Sequence, residues 1–169
     1  MKNVTFFKYQ GTGNDFVMID NRTEVFPKKN VELIEKLCDR RFGIGGDGLI
    51  LLEKDATADF KMVYYNADGN ESTMCGNGGR CIVSFAHFLG IFSKDTTFIA
   101  IDGLHHATIN ENGIVALQMI DVVKDTIKKD TEFTFLFTGS PHHVAMVNDI
   151  KNFNVFESGK NIRYSEQYK

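Results

Sequence analysis

A chain of 169 residues with 43% hydrophobic and 24% charged side chains is long enough for one domain or two small ones and too apolar to be a disordered segment. Its net charge of -3 and pI near 5.9, with Lys and Arg scattered along the chain, exclude the basic field of a nucleic-acid binder. No stretch reaches the roughly 20 apolar residues that span a bilayer, and Met1 to Lys8 lacks the apolar run of a signal peptide. The expectation is therefore a cytoplasmic chain with no membrane partner.

In chain order, Val4 to Tyr9 reads as a strand and Phe16 to Asp20 as its return, with Gly11-Thr12-Gly13-Asn14-Asp15 as the hairpin connection. At that glycine-flanked tip, Asn14 offers a donor and an acceptor suited to gripping a polar substrate group. Val31 to Arg41 is predicted as a helix, with Asn30 as N-cap and Leu33, Ile34, Leu37 and Cys38 on its apolar face. Cys38 is thus a core residue. Phe42 to Gly48 reads as a loop leading into a strand from Leu49 to Leu52. It is not a dinucleotide fingerprint, because there the glycines follow a strand and open a helix.

Phe60 to Tyr65 is the next predicted strand, and Asn66-Ala67-Asp68-Gly69 turns the chain toward Met74-Cys75-Gly76-Asn77-Gly78-Gly79-Arg80-Cys81. A helix is predicted over Cys81 to Leu89, with Cys75 just ahead of its N-terminus. That end of a helix carries unpaired N–H groups and the positive pole of the macrodipole, which favour a bound carboxylate and a thiolate alike. Glycines at 76, 78 and 79 each cost about 1 kcal/mol relative to Ala where they lie inside a helix, so their clustering calls for a reason. Cys75 is the candidate acid/base beside an anion-binding helix end, and Asn66 stands at the mouth of the site.

Beyond Gly90, strands are predicted at Thr96 to Ile101, His105 to Ile109 and Ile114 to Met119, with His105 and His106 as structural or surface residues lacking a partner cluster. The polar stretch Asp121 to Asp130 is the candidate domain boundary. Phe133 to Phe137 reads as a strand, Thr138 to His143 as a turn into Val144 to Val147, and Phe153 to Lys169 as one or two helix turns. Three cysteines form no even disulfide framework and match no common zinc template, which predicts free thiols and no metal.

Taken together and in this order, Gly11 to Phe16, Gly43 to Gly48, Asn66 to Gly69, Met74 to Cys81 and Gly139-Ser140-Pro141-His142 resemble the diaminopimelate epimerase family over essentially the whole chain. The resemblance implies an α/β fold of the α+β type, a curled, mostly antiparallel sheet around a central helix, in two pseudo-symmetric domains. It also implies inversion at one α-carbon of LL-diaminopimelate to the meso form, in lysine and cell-wall precursor synthesis, without pyridoxal phosphate, other cofactor or metal. By position, Cys75 resembles the catalytic base, the N–H groups of Gly76 and Asn77 would hold the reacting carboxylate, Asn14 and Asn66 would bind the polar ends of the substrate, and His142 would neighbour the thiol. Beyond the small-molecule substrate, the resemblance makes a homodimer a candidate assembly.

The second catalytic cysteine of the family, at a Cys-Gly-Ser-Gly type helix start, has no counterpart here, nor has its neighbouring Glu-Arg pair. The family often has Asn where Ser140 stands, and many members have Gln where Gly48 stands. The expectation is a first domain, 1–120, carrying Cys75, followed by the opening of a second, 121–169, that does not epimerise alone. Competing readings are a proline-racemase-like or phenazine-type isomerase of the same fold, a non-catalytic binding half-domain, and a thiol redox protein. Proline-racemase relatives follow the Cys-Gly step with His where Asn77 stands, and Cys75 and Cys81 lack the Cys-x-x-Cys spacing of redox pairs.

Overall fold

The structure, a computed structural model, describes residues 3–168. Contacts divide the chain into two compact units, one formed by Met1–Asp121 with Thr138–Ser140, the other by Val122–Phe137 with Pro141–Lys169.

In the first unit, β1 (Phe7–Gly11), β2 (Asn14–Asp20), β3 (Gly48–Glu53), β4 (Phe60–Asn66), β5 (Asp95–Ala100), β6 (Gly103–Ile109) and β7 (Val115–Leu117) form one seven-stranded sheet in chain order. The β2–β3 and β4–β5 junctions are parallel and the other four antiparallel. Parallel neighbours need a crossover. Each here runs through a helix, α1 (Val31–Cys38) for the first and α2 (Gly76–Phe88) for the second.

The two helices cover opposite faces of the sheet. Phe16, Met18, Ile50, Leu52, Phe60 and Met62 pack with Ile82, Val83, Phe85 and Ala86 of α2. The alternate residues Val17, Ile19, Leu49, Leu51 and Val63 pack with Ile34 and Cys38 of α1. This explains why β3, Gly-Leu-Ile-Leu-Leu-Glu, is buried along its whole length and reads as a continuous apolar run. Helix α2 touches β1, β2, β3, β4, β6 and β7, both edge strands included, so the sheet curls around it.

Asn30 caps α1 through Leu33 N at 3.0 Å, as predicted, but the helix ends at Cys38, not Arg41; Asp39 takes extended backbone, and its carboxylate accepts from the N–H groups of Arg41 and Phe42. The larger correction concerns α2, which begins at Gly76, five residues before the predicted Cys81. Its glycines made the first turn look unlike helix. Burial of the turn against the sheet outweighs their poor propensity.

In the second unit, β8 (Lys128–Lys129), β9 (Thr134–Phe137) and β10 (Pro141–Val144) form a three-stranded antiparallel sheet, and α3 (Val155–Arg163) follows with Asn154 as N-cap. The turn predicted over Thr138 to His143 is shorter, since β10 already begins at Pro141 and His142 pairs with Leu136. The nine-residue α3 is longer than the one or two turns predicted. No helix among the described residues is long and apolar enough to cross a membrane.

Candidate active site

Cys75 is the N-cap residue of α2, in extended backbone (φ -119°, ψ 115°), and its side chain makes no capping hydrogen bond. The first intrahelical bond runs from Gly79 N to Cys75 O at 2.8 Å. Helix geometry leaves the N–H groups of Gly76, Asn77 and Gly78 without intrahelical acceptors, and they lie beside the half-buried thiol.

The glycines of this turn serve different ends. A Cβ at Gly78 would lie 2.9 Å from Ile50 Cδ1 and 3.2 Å from Met62 Cε, and one at Gly79 would lie 2.7 Å from both Leu117 Cδ2 and Met74 Cε. Those two glycines let the helix approach the sheet. A Cβ at Gly76 would meet nothing nearer than Met119 Sδ at 3.7 Å, an ordinary contact. Packing therefore does not demand glycine at 76.

The β1–β2 hairpin brings its tip to the helix start. Thr12 (φ 55°) and Gly13 (φ 85°) make the two-residue turn, and Gly11 pairs with Asn14. A Cβ on Gly11 would lie 3.1 Å from Asn77 O, so the strand runs close against the helix. From this tip, Asn14 Oδ1 accepts from Cys75 Sγ at 3.6 Å and from Asn77 Nδ2 at 3.4 Å. Asn77 Oδ1 accepts from Thr12 Oγ1 at 3.0 Å and from Arg80 Nη2.

Behind Asn14 lies a charged cluster that the sequence reading did not assign. Asn14 Nδ2 donates to Asp47 Oδ2 at 2.6 Å, and Arg40 Nη2 donates to Asp47 Oδ1 and to Asp15 Oδ1, each at 2.7 Å. Lys8 Nζ reaches Asp15 Oδ2 at 2.8 Å and the carbonyl of Gly45. The hydrogen bond from Arg40, then Lys8, holds the Asp15 carboxyl well below the usual range against partial burial, and the one from Asn14 lowers that of Asp47. The Gly-Gly-Asp-Gly loop was the available signal, since it delivers an acid to the start of β3, beside β2.

Tyr64 of β4 lies near the thiol, and burial, followed by the proximity of Cys75, pushes its hydroxyl up to about 12. Cys81 is buried six residues further along α2, its thiol pushed up to about 11 by burial, and Cys38, the last residue of α1, is likewise buried. Asn66 ends β4 opposite Gly48 and closes a turn with Gly69 N donating to its carbonyl at 3.0 Å. Thr138–Ser140 also contributes here: Ser140 Oγ donates to Met74 O at 2.7 Å and lies 2.6 Å from Thr73 Oγ1, fixing the backbone just before Cys75. His142 is on β10 in the second unit.

His105 has the partners the sequence reading denied it. Its Nε2 lies 2.9 Å from Asp102 Oδ1, its Nδ1 3.0 Å from Gln118 O, and its ring stacks on Phe98 at 5.1 Å. The Asp-Gly turn between β5 and β6 brings Asp102 back beside it, whereas His106 points to the exposed side. The role of His105 is structural.

A curled sheet wrapped on a helix that is headed by a cysteine defines an epimerase-like α+β class. The fold is shared with the crystal structure of a Bacillus anthracis phenazine biosynthesis protein of the PhzF family, at a TM-score of 0.63 and 18% identity, covering 94% of this chain and 62% of that one. The family model for diaminopimelate epimerase matches residues 6–125, and the chain belongs to that family. It is 65% identical over 162 residues to the diaminopimelate epimerase of Flavobacterium psychrophilum, covering 96% of this chain and 62% of that protein. The enzyme of the same name from Chlorobaculum tepidum is 44% identical, covering 93% of this chain and 63% of that protein. The chain thus spans less than two thirds of the length of these relatives.

Proposed function

We propose that this chain carries the Cys75 half of a cytoplasmic, cofactor-independent epimerase that interconverts LL- and meso-diaminopimelate by proton transfer at one α-carbon. The observation that carries the reading is a thiol at the start of α2 beside three first-turn N–H groups, with a glycine at 76 that packing does not require. A carboxylate seated on the N–H groups of Gly76 and Asn77 places its own α-carbon beside Cys75 Sγ. The charge that develops on that carboxylate as the proton leaves meets fixed donors and the positive end of α2. Cys75 then acts as base on one face, and Asn14 and Asn66 receive the polar ends of the substrate. The family names of the relatives support diaminopimelate as that substrate.

Inversion needs an acid on the opposite face. Cys38 lies at the end of α1 and Cys81 inside α2, so Cys75 alone among the three cysteines heads a helix. The 169-residue chain accordingly binds substrate without inverting it. Titration of 15N-labelled chain with LL-diaminopimelate is expected to move the amide signals of Gly76, Asn77 and Gly78, while chiral chromatography finds no meso product. Unmoved amides at those positions, or meso product from the chain alone, would overturn the reading.

A further inference from the structure

We propose that Asp47, held by Arg40, is a positioning residue that turns the Asn14 carboxamide so that its oxygen, rather than its nitrogen, faces the Cys75 thiol. The inference deepens the reading of Cys75 as the reactive thiol and rests on it. A carboxamide has an acceptor end and a donor end of nearly equal size, and neighbours that can play only one role decide which end goes where.

Asp47, an ionised carboxylate, can only accept, so Asn14 gives it Nδ2 at 2.6 Å. Arg40 anchors the other carboxylate oxygen at 2.7 Å. Oδ1 of Asn14 is thereby directed at Cys75 Sγ and Asn77 Nδ2. The far end of the relay imposes the same polarity. Arg80 can only donate and meets Asn77 Oδ1, so the nitrogen of Asn77 is left to face the oxygen of Asn14. From Arg80 through Asn77 and Asn14 to Asp47 and Arg40, each donor meets an acceptor in one consistent sense.

The chemical consequence falls on the thiol. An acceptor oxygen beside Sγ engages the S–H hydrogen, whereas a carboxamide nitrogen there would donate to the sulfur and leave that hydrogen free. Tyr64 and Cys81 are titratable neighbours of Cys75. Burial keeps both protonated at neutral pH, at about 12 and about 11.

The test is the rate of Cys75 carbamidomethylation by iodoacetamide at pH 7.5 in the full chain. Asp47→Ala frees the carboxamide to turn, and the rate is expected to rise several-fold. Asp47→Glu keeps a carboxylate whose two oxygens can accept from Asn14 and from Arg40, and is expected to restore much of the original rate. Unmodified Cys38 and Cys81 in the same digest report an intact fold. An unchanged rate in a folded Asp47→Ala chain, or an Asp47→Glu chain as fast as Asp47→Ala, would overturn the proposal. If Asp47→Ala does not fold, the unsubstituted chain still decides. The Asn14 side-chain amide protons are expected to exchange slowly with solvent by 15N NMR, and free exchange would sink the proposal. Slow exchange at Asn14 together with an unreactive Cys75 would instead count against the thiol reading and leave the relay standing.

Discussion

Cys38 and Cys81 are each 3% exposed, and burial pushes both thiols up to about 11, whereas Cys75 is half-buried at a helix start. Alkylation needs both access and thiolate. Limiting iodoacetamide at pH 8 is therefore expected to label Cys75 well before the other two, as read by peptide mass mapping. The same burial sets an alkaline limit. Because the folded values lie above the ordinary 9.0, the stability these thiols contribute is complete below about 9 and is lost as pH rises through about 11. Asp15 works in the opposite sense: Arg40 holds its carboxyl below the usual range, so its contribution is complete above the unfolded value near about 3.9 and is lost as pH falls through the lower folded value. Thermal melts are expected to be level from pH 5 to 8 and to fall below about pH 4, with Asp15→Asn flattening that acid limb.

At the scale of elements, the glycines make a graded prediction. A Cβ at Gly48 would lie 2.4 Å from the backbone oxygen of Tyr65 and 2.5 Å from the Tyr64 ring, neither of which yields easily. Gly48→Ala is expected to cost at least the upper part of the roughly 1–3 kcal/mol typical of overpacking. Gly78→Ala meets side-chain tips and recovers about 1 kcal/mol of helix propensity, so its loss is smaller. Gly76→Ala has room, and denaturant melts should find it no less stable, which makes it a probe of binding alone. The strands were legible because β2 to β4 carry apolar runs and β5 and β6 alternate buried with more exposed residues, all bounded by turn residues. Cys75 and the hairpin tip were legible because their glycines are local. The start of α2 was hidden, since what makes Gly76 to Gly79 helical is contact with Ile50, Met62 and Leu117 from distant strands. Asp47 was hidden for the same reason, because its partner Asn14 lies 33 residues away along the chain.

For the whole molecule, the first unit alone holds Cys75, Gly76, Asn77, Asn14 and Asn66, while His142 belongs to the second. Where the chain passes from the first unit to the second, brief trypsin treatment is expected to cut first at the exposed Lys124, Lys128 or Lys129 and leave a long N-terminal piece, identified by intact mass. The central claim is that the helix start at Cys75 is a seat for the α-carboxylate of diaminopimelate. It is tested most directly by timing Cys75 alkylation in the intact chain with and without LL-diaminopimelate. The account predicts that the amino acid slows labelling of Cys75 in a saturable way; labelling at the same rate across the full range of ligand concentration would contradict it.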